Sequence, residues 1–207
     1  MSRLIDISPL VHEGLQVWPG DVPYRRKINA RLADGATIDL SSIETSVHLG
    51  AHADAPSHYR QGLPGIAERS LEIYYGPCEV IAARVPRGAR IRPSDLPGPV
   101  RAPRVLFRTE SFPDPTDFTT DFAALSPELV RWLAAQGVVL VGLDTPSVDP
   151  FDDKDLRSHQ AIADHDLAIL EGLVLSHVEP GLYTLFALPL KLDGADASPV
   201  RAALLRD

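Results

Sequence analysis

The sequence lacks the features of several large protein classes. Its 207 residues include a single cysteine, Cys78, so no intramolecular disulfide can form and a disulfide-stabilised secreted fold is disfavoured. No segment approaches the roughly 20 consecutive apolar residues that span a bilayer. The N-terminal segment MSRLIDISPL also lacks the apolar core of a signal peptide. We therefore expect a cytoplasmic protein that has no membrane partner.

Concentrated positive charge and nucleotide-binding motifs are missing as well. The formal net charge is −8 and no run of basic residues occurs, which disfavours nucleic acid as a partner. Neither G-x-x-x-x-G-K-[ST] nor G-x-G-x-x-G is present, which disfavours nucleotide binding. G-x-S-x-G is absent too, so a serine nucleophile of the α/β-hydrolase type is not supported.

The composition is that of an ordinary globular protein. Hydrophobic residues make up 44% of the chain and charged residues 23%. Proline and glycine are spread along the sequence, and no repeat or linker is visible. We expect a single domain covering residues 1–207, long enough to bury a substantial core.

Strand patterns dominate the chain and one helix is clearly marked. Ser126 is a good N-cap, Pro127 suits the first helical position and Gly137 ends the apolar stripe, so we predict a helix over residues 127–136. The charged residues 152–157 should cap and open a second helix. Alternating or continuous apolar patterns predict strands at residues 3–7, 24–32, 37–49, 78–85, 104–110, 138–144, 181–192 and 198–205. The pattern predicts a mixed α/β fold with few helices.

Three of the seven histidines fall in the short segment 46–59, which reads SVHLGAHADAPSHY. With one aspartate they form the pattern H-x-x-x-H-x-D-x-x-x-H, which comprises His48, His52, Asp54 and His58. The residues between them are small or apolar, so several polar groups have room to converge. Imidazole and carboxylate together are ligands for Zn²⁺ and similar cations, and the segment therefore predicts a metal site.

The spacing of these residues suggests how they meet. Residues two apart in an extended chain project to one face, so His52 and Asp54 can point the same way. Gly50 and Pro56 argue against one continuous regular element. We expect the end of a strand that runs into a tight, irregular loop. The alternative is a polar surface loop that happens to carry histidines.

Further ligands would have to come from elsewhere in the chain. His159 and Glu171 lie in the segment SHQAIADHDLAILEGL, where a glutamate after the apolar run LAIL is costly to bury without a partner. Coordination of a second metal by this pair would offset that cost, whereas an exposed helix face is the alternative. Trp18, in the turn-rich loop VWPGD, is either a core aromatic or a flat wall for an aromatic substrate. Cys78 is expected to be a buried strand residue.

HLGAHADAPSH resembles the signature H-x-G-T-H-x-D-x-P-x-H of the cyclase-like metal hydrolases. The one departure is Ala51 in place of threonine, which touches no proposed ligand. The similarity continues in DIS near the start, in VWPGD, in GLDTPSVDP and in PLKLDGADASPVRA. VWPGD and the form of the histidine segment are most similar to the bacterial kynurenine formamidase branch of the family.

This resemblance implies a homodimer with a swivelling β/β/α fold, two zinc ions in each subunit and hydrolysis of N-formyl-L-kynurenine to L-kynurenine and formate. It implies that His58 is the general acid and base and that Trp18 contacts the substrate. The implied metal ligands are His48, His52 and Asp54 for the first zinc, with Asp54 and Glu171 bridging to the second, which His159 completes.

Two alternatives remain open. A related hydrolase could keep the fold and the metals but open a cyclic amide such as isatin, often with manganese. A non-catalytic protein could retain the metal site for stability alone. A structural zinc site is closed and does not need an uncommitted histidine beside it, so the role of His58 separates the last possibility from the others.

Overall fold

A nine-stranded mixed sheet forms the centre of the protein in a computed structural model that describes residues 3–206. Met1, Ser2 and Asp207 belong to the expected domain but lie outside the described residues. The strands are β1 (Arg3–Asp6), β2 (Arg25–Ala30), β3 (Leu40–Glu44), β4 (His52–Asp54), β5 (Tyr75–Ala82), β6 (Arg90–Ile91), β7 (Arg104–Arg108), β8 (Ala124–Leu125), β9 (Leu140–Leu143), β10 (Ala168–Glu171), β11 (Gly181–Phe186), β12 (Ala197–Pro199) and β13 (Ala203–Arg206).

Two α-helices accompany these strands in the described residues, α1 (Pro127–Ala134) and α2 (Arg157–Asp164). Short 3₁₀ turns occur at Leu32–Asp34, Pro56–His58, Ile66–Glu68, Leu71–Tyr74 and Pro93–Asp95. None of the helices in this part of the chain is long and apolar enough to cross a bilayer. The predicted mixed α/β class with few helices is confirmed.

The central strands of the large sheet are parallel and its flanking strands are antiparallel. The order is β1-β13-β11-β5-β7-β9-β10-β4-β12, with β5, β7, β9 and β10 running in one direction. Every residue of β9 and β10 is buried. The strand predicted at residues 138–144 is therefore confirmed as β9, which is covered on both faces.

The sheet is strongly curled. β12 and β13 are separated by only three residues, yet they lie seven positions apart in the strand order. In a flat sheet this separation would be about 34 Å, at roughly 4.8 Å per strand. The four peptide units from Pro199 to Ala203 can span about 14 Å at most. The two ends of the sheet must therefore approach one another.

Separate apolar clusters cover the two faces of the sheet. Neighbouring residues of one strand alternate between them: Leu106 packs in one cluster, and Val105 and Phe107 pack in the other. The second cluster also contains Leu129 of α1 and Ile162 of α2. Both helices thus cover the same face of the sheet.

The two helices begin in different ways. α1 starts as predicted, because the Ser126 hydroxyl accepts a hydrogen bond from the Leu129 amide at 3.0 Å. The prediction that residues 152–157 cap α2 is wrong. Its N-cap residue, Leu156, has a left-handed backbone and no capping side chain. The Asp149 carboxylate, seven residues earlier, accepts the Ser158 and His159 amides instead.

Several predicted strands are shorter in the structure. The pair predicted at 24–32 and 37–49 forms the isolated hairpin β2 and β3, which ends at Glu44 and lies outside the large sheet. The strand predicted at 181–192 ends at Phe186, ahead of Pro189, which cannot donate to a strand ladder. The strand predicted at 198–205 is divided into β12 and β13.

One backbone approach should limit substitution. Gly172 has φ +65°, and a Cβ added there would lie 2.1 Å from the Gly50 oxygen. We predict that Gly172→Ala lowers the free energy of unfolding by about 2–5 kcal/mol, from left-handed strain together with the clash. Urea denaturation measures it.

Gly35→Ala is the matched control, because Gly35 also has a positive φ, +86°, but an added Cβ would meet no atom within 4 Å. It should cost clearly less than Gly172→Ala. Equal losses for the two variants would contradict the close approach at Gly172.

Candidate metal centre

Strand pairing places two of the proposed ligands opposite each other. β4 and β10 pair antiparallel with Glu171 opposite His52. His52 and Asp54 are two residues apart on β4, so their side chains lie on one face, and His52 Nε2 is 3.3 Å from both Asp54 Oδ1 and Glu171 Oε2. The expected loop position is wrong for His52 and Asp54, since both lie on a buried strand of the sheet.

A helix and a loop bring the remaining imidazoles to these carboxylates. His159 on α2 places Nε2 3.5 Å from Asp54 Oδ2 and 3.7 Å from Glu171 Oε1. His48, in the loop before β4, places Nδ1 3.0 Å from Asp54 Oδ1. His159 and Glu171 are 3% and 4% exposed, so the exposed helix face considered as an alternative is wrong.

The outer nitrogen of each buried histidine faces an oxygen that can only accept a hydrogen bond. His52 donates from Nδ1 to the Gly50 carbonyl at 2.9 Å, and His159 donates from Nδ1 to the Asp149 carboxylate at 2.9 Å. The inner nitrogen, Nε2, of each neutral ring is therefore left with a lone pair directed at the carboxylates. Histidines that bind metals are commonly held in this way.

Several inner atoms have no hydrogen-bond partner in the described protein. His52 Nε2 and both carboxylate oxygens of Asp54 are buried and unpaired. Buried lone pairs that face each other are costly unless a cation lies between them. Imidazole nitrogen with carboxylate oxygen is a donor set that suits Zn²⁺ or Mn²⁺. The arrangement fits a divalent metal.

The electrostatics of these side chains indicate the same demand for positive charge. Burial opposes protonation of His52, but the negative charges of the adjacent Asp54 and Glu171 carboxylates raise its pKa to about 10. Burial also opposes protonation of His159, whose pKa is raised to about 10 by its hydrogen bond with Asp149 and by the nearby negative charges of Asp54 and Glu171. The carboxylates thus favour positive charge at this position, so binding of a divalent ion here should be coupled to proton release.

His58 lies at the outer edge of the cluster. Its Nδ1 is 3.1 Å from Asp196 Oδ2, an oxygen that also lies 3.0 Å from His48 Nε2. His48, Asp54 and His58 can bring one ligand atom each within 4.8 Å of one another, as can His52, Asp54 and Glu171. The geometry thus allows His58 either a ligand role or an acid–base role.

An arginine holds the segment that carries His159. Arg90 donates to the Leu125 carbonyl and to Asp149 Oδ1, and it also pairs with the Asp153 carboxylate. Asp149 in turn fixes both the start of α2 and the ring of His159. Sequence reasoning missed Arg90, Asp149 and Asp196. The motifs GLDTPSVDP and DGADASPV contain the two aspartates, but their spacing gives no hint of their partners.

A cavity of about 690 Å³ opens onto the cluster of histidine and carboxylate side chains, and aromatic rings form part of its wall. The Trp18 ring stacks on Phe151, with centroids 5.0 Å apart and an interplanar angle of 29°, and packs edgewise on Phe118. Trp18 is half-buried and lines the cavity. Its packing fits the core-aromatic alternative, and its role as a wall for an aromatic substrate stays a prediction.

Three histidines and the cysteine take no part in the centre. His12, His165 and His177 are exposed and do not line the cavity. Cys78 is fully buried on β5, and burial raises the pKa of its thiol, which disfavours a nucleophilic role. This agrees with its expected place in a buried strand.

Comparison with known proteins gives a consistent family assignment. The family model described as putative cyclase matches residues 5–150. The kynurenine formamidase of Bordetella pertussis is 47% identical over 206 residues, which are 99% of this chain and 98% of that protein. The resemblance found in the sequence motifs is confirmed.

Solved structures share the fold. A potential metal-dependent hydrolase with cyclase activity superposes with a TM-score of 0.84 at 26% identity, covering all of both chains. Isatin hydrolase A from Labrenzia aggregata superposes with a TM-score of 0.84 at 20% identity, over 99% of this chain and 93% of that one. The curled mixed sheet with few helices is thus the fold of these hydrolases. The chain is a hydrolase of the cyclase family and is similar over its whole length to the kynurenine formamidases of that family.

Proposed function

We propose that the protein hydrolyses N-formyl-L-kynurenine to L-kynurenine and formate in tryptophan degradation, with two zinc ions in each subunit. The observation that carries this proposal is the 47% identity to a kynurenine formamidase over 99% of the chain. The non-catalytic alternative is not retained, because the chain is a hydrolase. A cyclic amide such as isatin remains the alternative substrate, and the structural likeness to isatin hydrolase A bears on the fold alone.

The inner atoms of the centre support the proposed ligands. His48, His52 and Asp54 would hold the first ion, and Asp54 with Glu171 would bridge to a second ion that His159 completes. The convergence of three imidazole nitrogens on two buried carboxylates supports this division. Divalent ions held in this way supply Lewis-acid polarisation of the formyl oxygen and lower the pKa of water.

His58 would transfer the protons of the reaction. Asp196 can only accept, so the Nδ1 of neutral His58 carries its proton toward Asp196 and Nε2 remains free. Nε2 can then take a proton from the water molecule that attacks the formyl carbon, and return it to the aniline nitrogen as the C–N bond breaks. The partly exposed position of His58 at the cavity gives it access to a substrate.

We propose the homodimer from the family resemblance, and the β2–β3 hairpin supports it. A two-stranded hairpin is marginally stable alone in water. This hairpin and the turn that joins its strands expose Ile28, Leu32, Ile38, Leu40 and Ile43, with Ile43 64% exposed. A second subunit packed here would cover these apolar side chains.

Zinc-loaded protein should release L-kynurenine from N-formyl-L-kynurenine and should lose this activity on chelation, because the carboxylates and imidazoles of the centre need a cation to be catalytically competent. Absorbance of the product measures the rate, and elemental analysis measures the metal. Two zinc ions in each chain are expected, with activity restored when zinc is returned.

The same preparation is assayed against isatin, with zinc and with manganese. A higher kcat/KM for isatin than for N-formyl-L-kynurenine would overturn the proposed substrate. A single ion in each fully active chain would overturn the two-ion centre.

His58→Ala should keep its metal and lose about 10²–10⁴-fold in kcat, the usual contribution of a general acid–base group. His165→Ala, at an exposed histidine outside the cavity, serves as the control and should behave like the unaltered protein. If His58→Ala instead loses zinc, His58 is a ligand, as its closeness to His48 and Asp54 also allows.

Trp18→Ala should raise KM for N-formyl-L-kynurenine by about 3- to 10-fold and change kcat less, because aromatic pairs contribute roughly 0.5–1.5 kcal/mol. Trp18→Phe keeps a ring against Phe151 and should show a smaller increase. Steady-state kinetics decide the matter, and an unchanged KM in Trp18→Ala would exclude a contact with the substrate.

A further inference from the structure

Positive charge is scarce around the cavity. Six carboxylates line it, on Asp21, Glu110, Asp144, Asp153, Glu171 and Asp196. The chain contains seventeen arginines, but none of them lines the cavity in the described residues. Lys154 is the one lysine that does. Apart from histidine, this side chain is the cavity's single source of cationic charge in the described protein.

Lys154 lies beside the aromatic rings of the cavity. It lies in the turn between β9 and α2, and its ammonium is 5.6 Å from the centroid of the Phe151 ring. Phe151 in turn stacks on Trp18. Phe151 therefore has both the Trp18 ring and the Lys154 ammonium as neighbours, and all three side chains line the cavity.

The ammonium of Lys154 is not already engaged by a carboxylate. No ion pair within 4.0 Å involves Lys154 in residues 3–206, whereas Arg90 and Arg157 both pair with the neighbouring Asp153. Lys154 is also exposed, so the side chain can reorient without disturbing the fold. It is free to pair with an anion that enters the cavity.

The proposed substrate brings such an anion. N-formyl-L-kynurenine carries a formamide at one side of an aromatic ring, and the other substituent ends in an α-ammonium and an α-carboxylate. The cavity's carboxylates can pair with the ammonium, whereas the α-carboxylate needs a cation. The acidic lining repels this carboxylate, and a metal centre would attract it into a nonproductive orientation. Pairing of this carboxylate with Lys154, beside the aromatic rings, would leave the formamide free to face the centre.

The geometry points to Lys154 as the residue that binds the substrate's α-carboxylate and so selects ring-bearing formamides with a free carboxylate. This assignment rests on the proposed function. It predicts that Lys154 acts on one end of the substrate and has no effect on the chemistry at the formyl carbon.

The test compares two substrates in Lys154→Gln. One is N-formyl-L-kynurenine, and the other is N-(2-acetylphenyl)formamide, which has the same ring and formamide but no amino-acid end. KM for N-formyl-L-kynurenine should rise about 3- to 10-fold, as for loss of one partly exposed charge-assisted contact. KM for the carboxylate-free substrate and both kcat values should remain unchanged.

Equilibrium binding supplies a second measurement that does not depend on turnover. Titration calorimetry should show weaker binding of L-kynurenine to Lys154→Gln and unchanged binding of 2-aminoacetophenone, which lacks the carboxylate. Lys154→Arg should restore binding of L-kynurenine. Lys191→Gln, which removes an exposed lysine outside the cavity, is the matched control for net charge and should bind as the unaltered protein does.

The outcomes separate the two proposals. If unaltered, metal-loaded protein hydrolyses N-formyl-L-kynurenine but Lys154→Gln affects both substrates equally or neither, the assignment of Lys154 is overturned and the proposed function stands. If the unaltered protein hydrolyses neither formamide, the proposed function fails, and the assignment of Lys154 fails with it.

Discussion

The pairing of β4 with β10 is the contact on which the rest of the centre depends. Its register sets Glu171 opposite His52 and leaves Asp54 on the same face. Side chains alternate along a strand, so a shift of one residue in the pairing of β10 with β4 would turn Glu171 toward the apolar cluster on the other face of the sheet. The centre would then lose one of its two carboxylates. Two buried carboxylates on adjacent strands are costly without a cation. The sheet thus builds a site that a divalent ion stabilises, and the local stability of this edge should follow metal occupancy.

A second constraint comes from the Arg90–Asp149 pair. Asp149 is fully buried and caps α2 while it fixes the ring of His159. Arg90 joins this carboxylate to the turn that carries Phe151. The aromatic wall and the helix-borne imidazole are therefore held by one side chain. Arg90 thus holds both the segment that carries the aromatic ring of Phe151 and the segment that carries the proposed ligand His159.

The sequence predicted the features that depend on neighbouring residues. The start of α1 follows from Ser126 and Pro127, and the shared face of His52 and Asp54 follows from their spacing. Contacts between residues that are distant in the sequence could not be predicted from it. The cap of α2 comes from Asp149 through space, so the charged residues next to the helix were the wrong choice. Asp196 meets His58 across 138 residues, and no periodicity encodes that distance. The ends of several strands were predicted in the wrong places, because tertiary packing sets where each strand stops pairing.

The tight crossing of Gly50 and Gly172 has a consequence for how this protein tolerates change. The Gly50 oxygen that leaves no room for a side chain at position 172 is the same oxygen that accepts a hydrogen bond from His52 Nδ1. The absence of a side chain at position 172 lets the Gly50 peptide lie where its oxygen orients the His52 ring. A bulkier residue would push that peptide away and rotate the ring. Variants at either glycine should therefore first reveal themselves as poor metal retention in protein that is still folded.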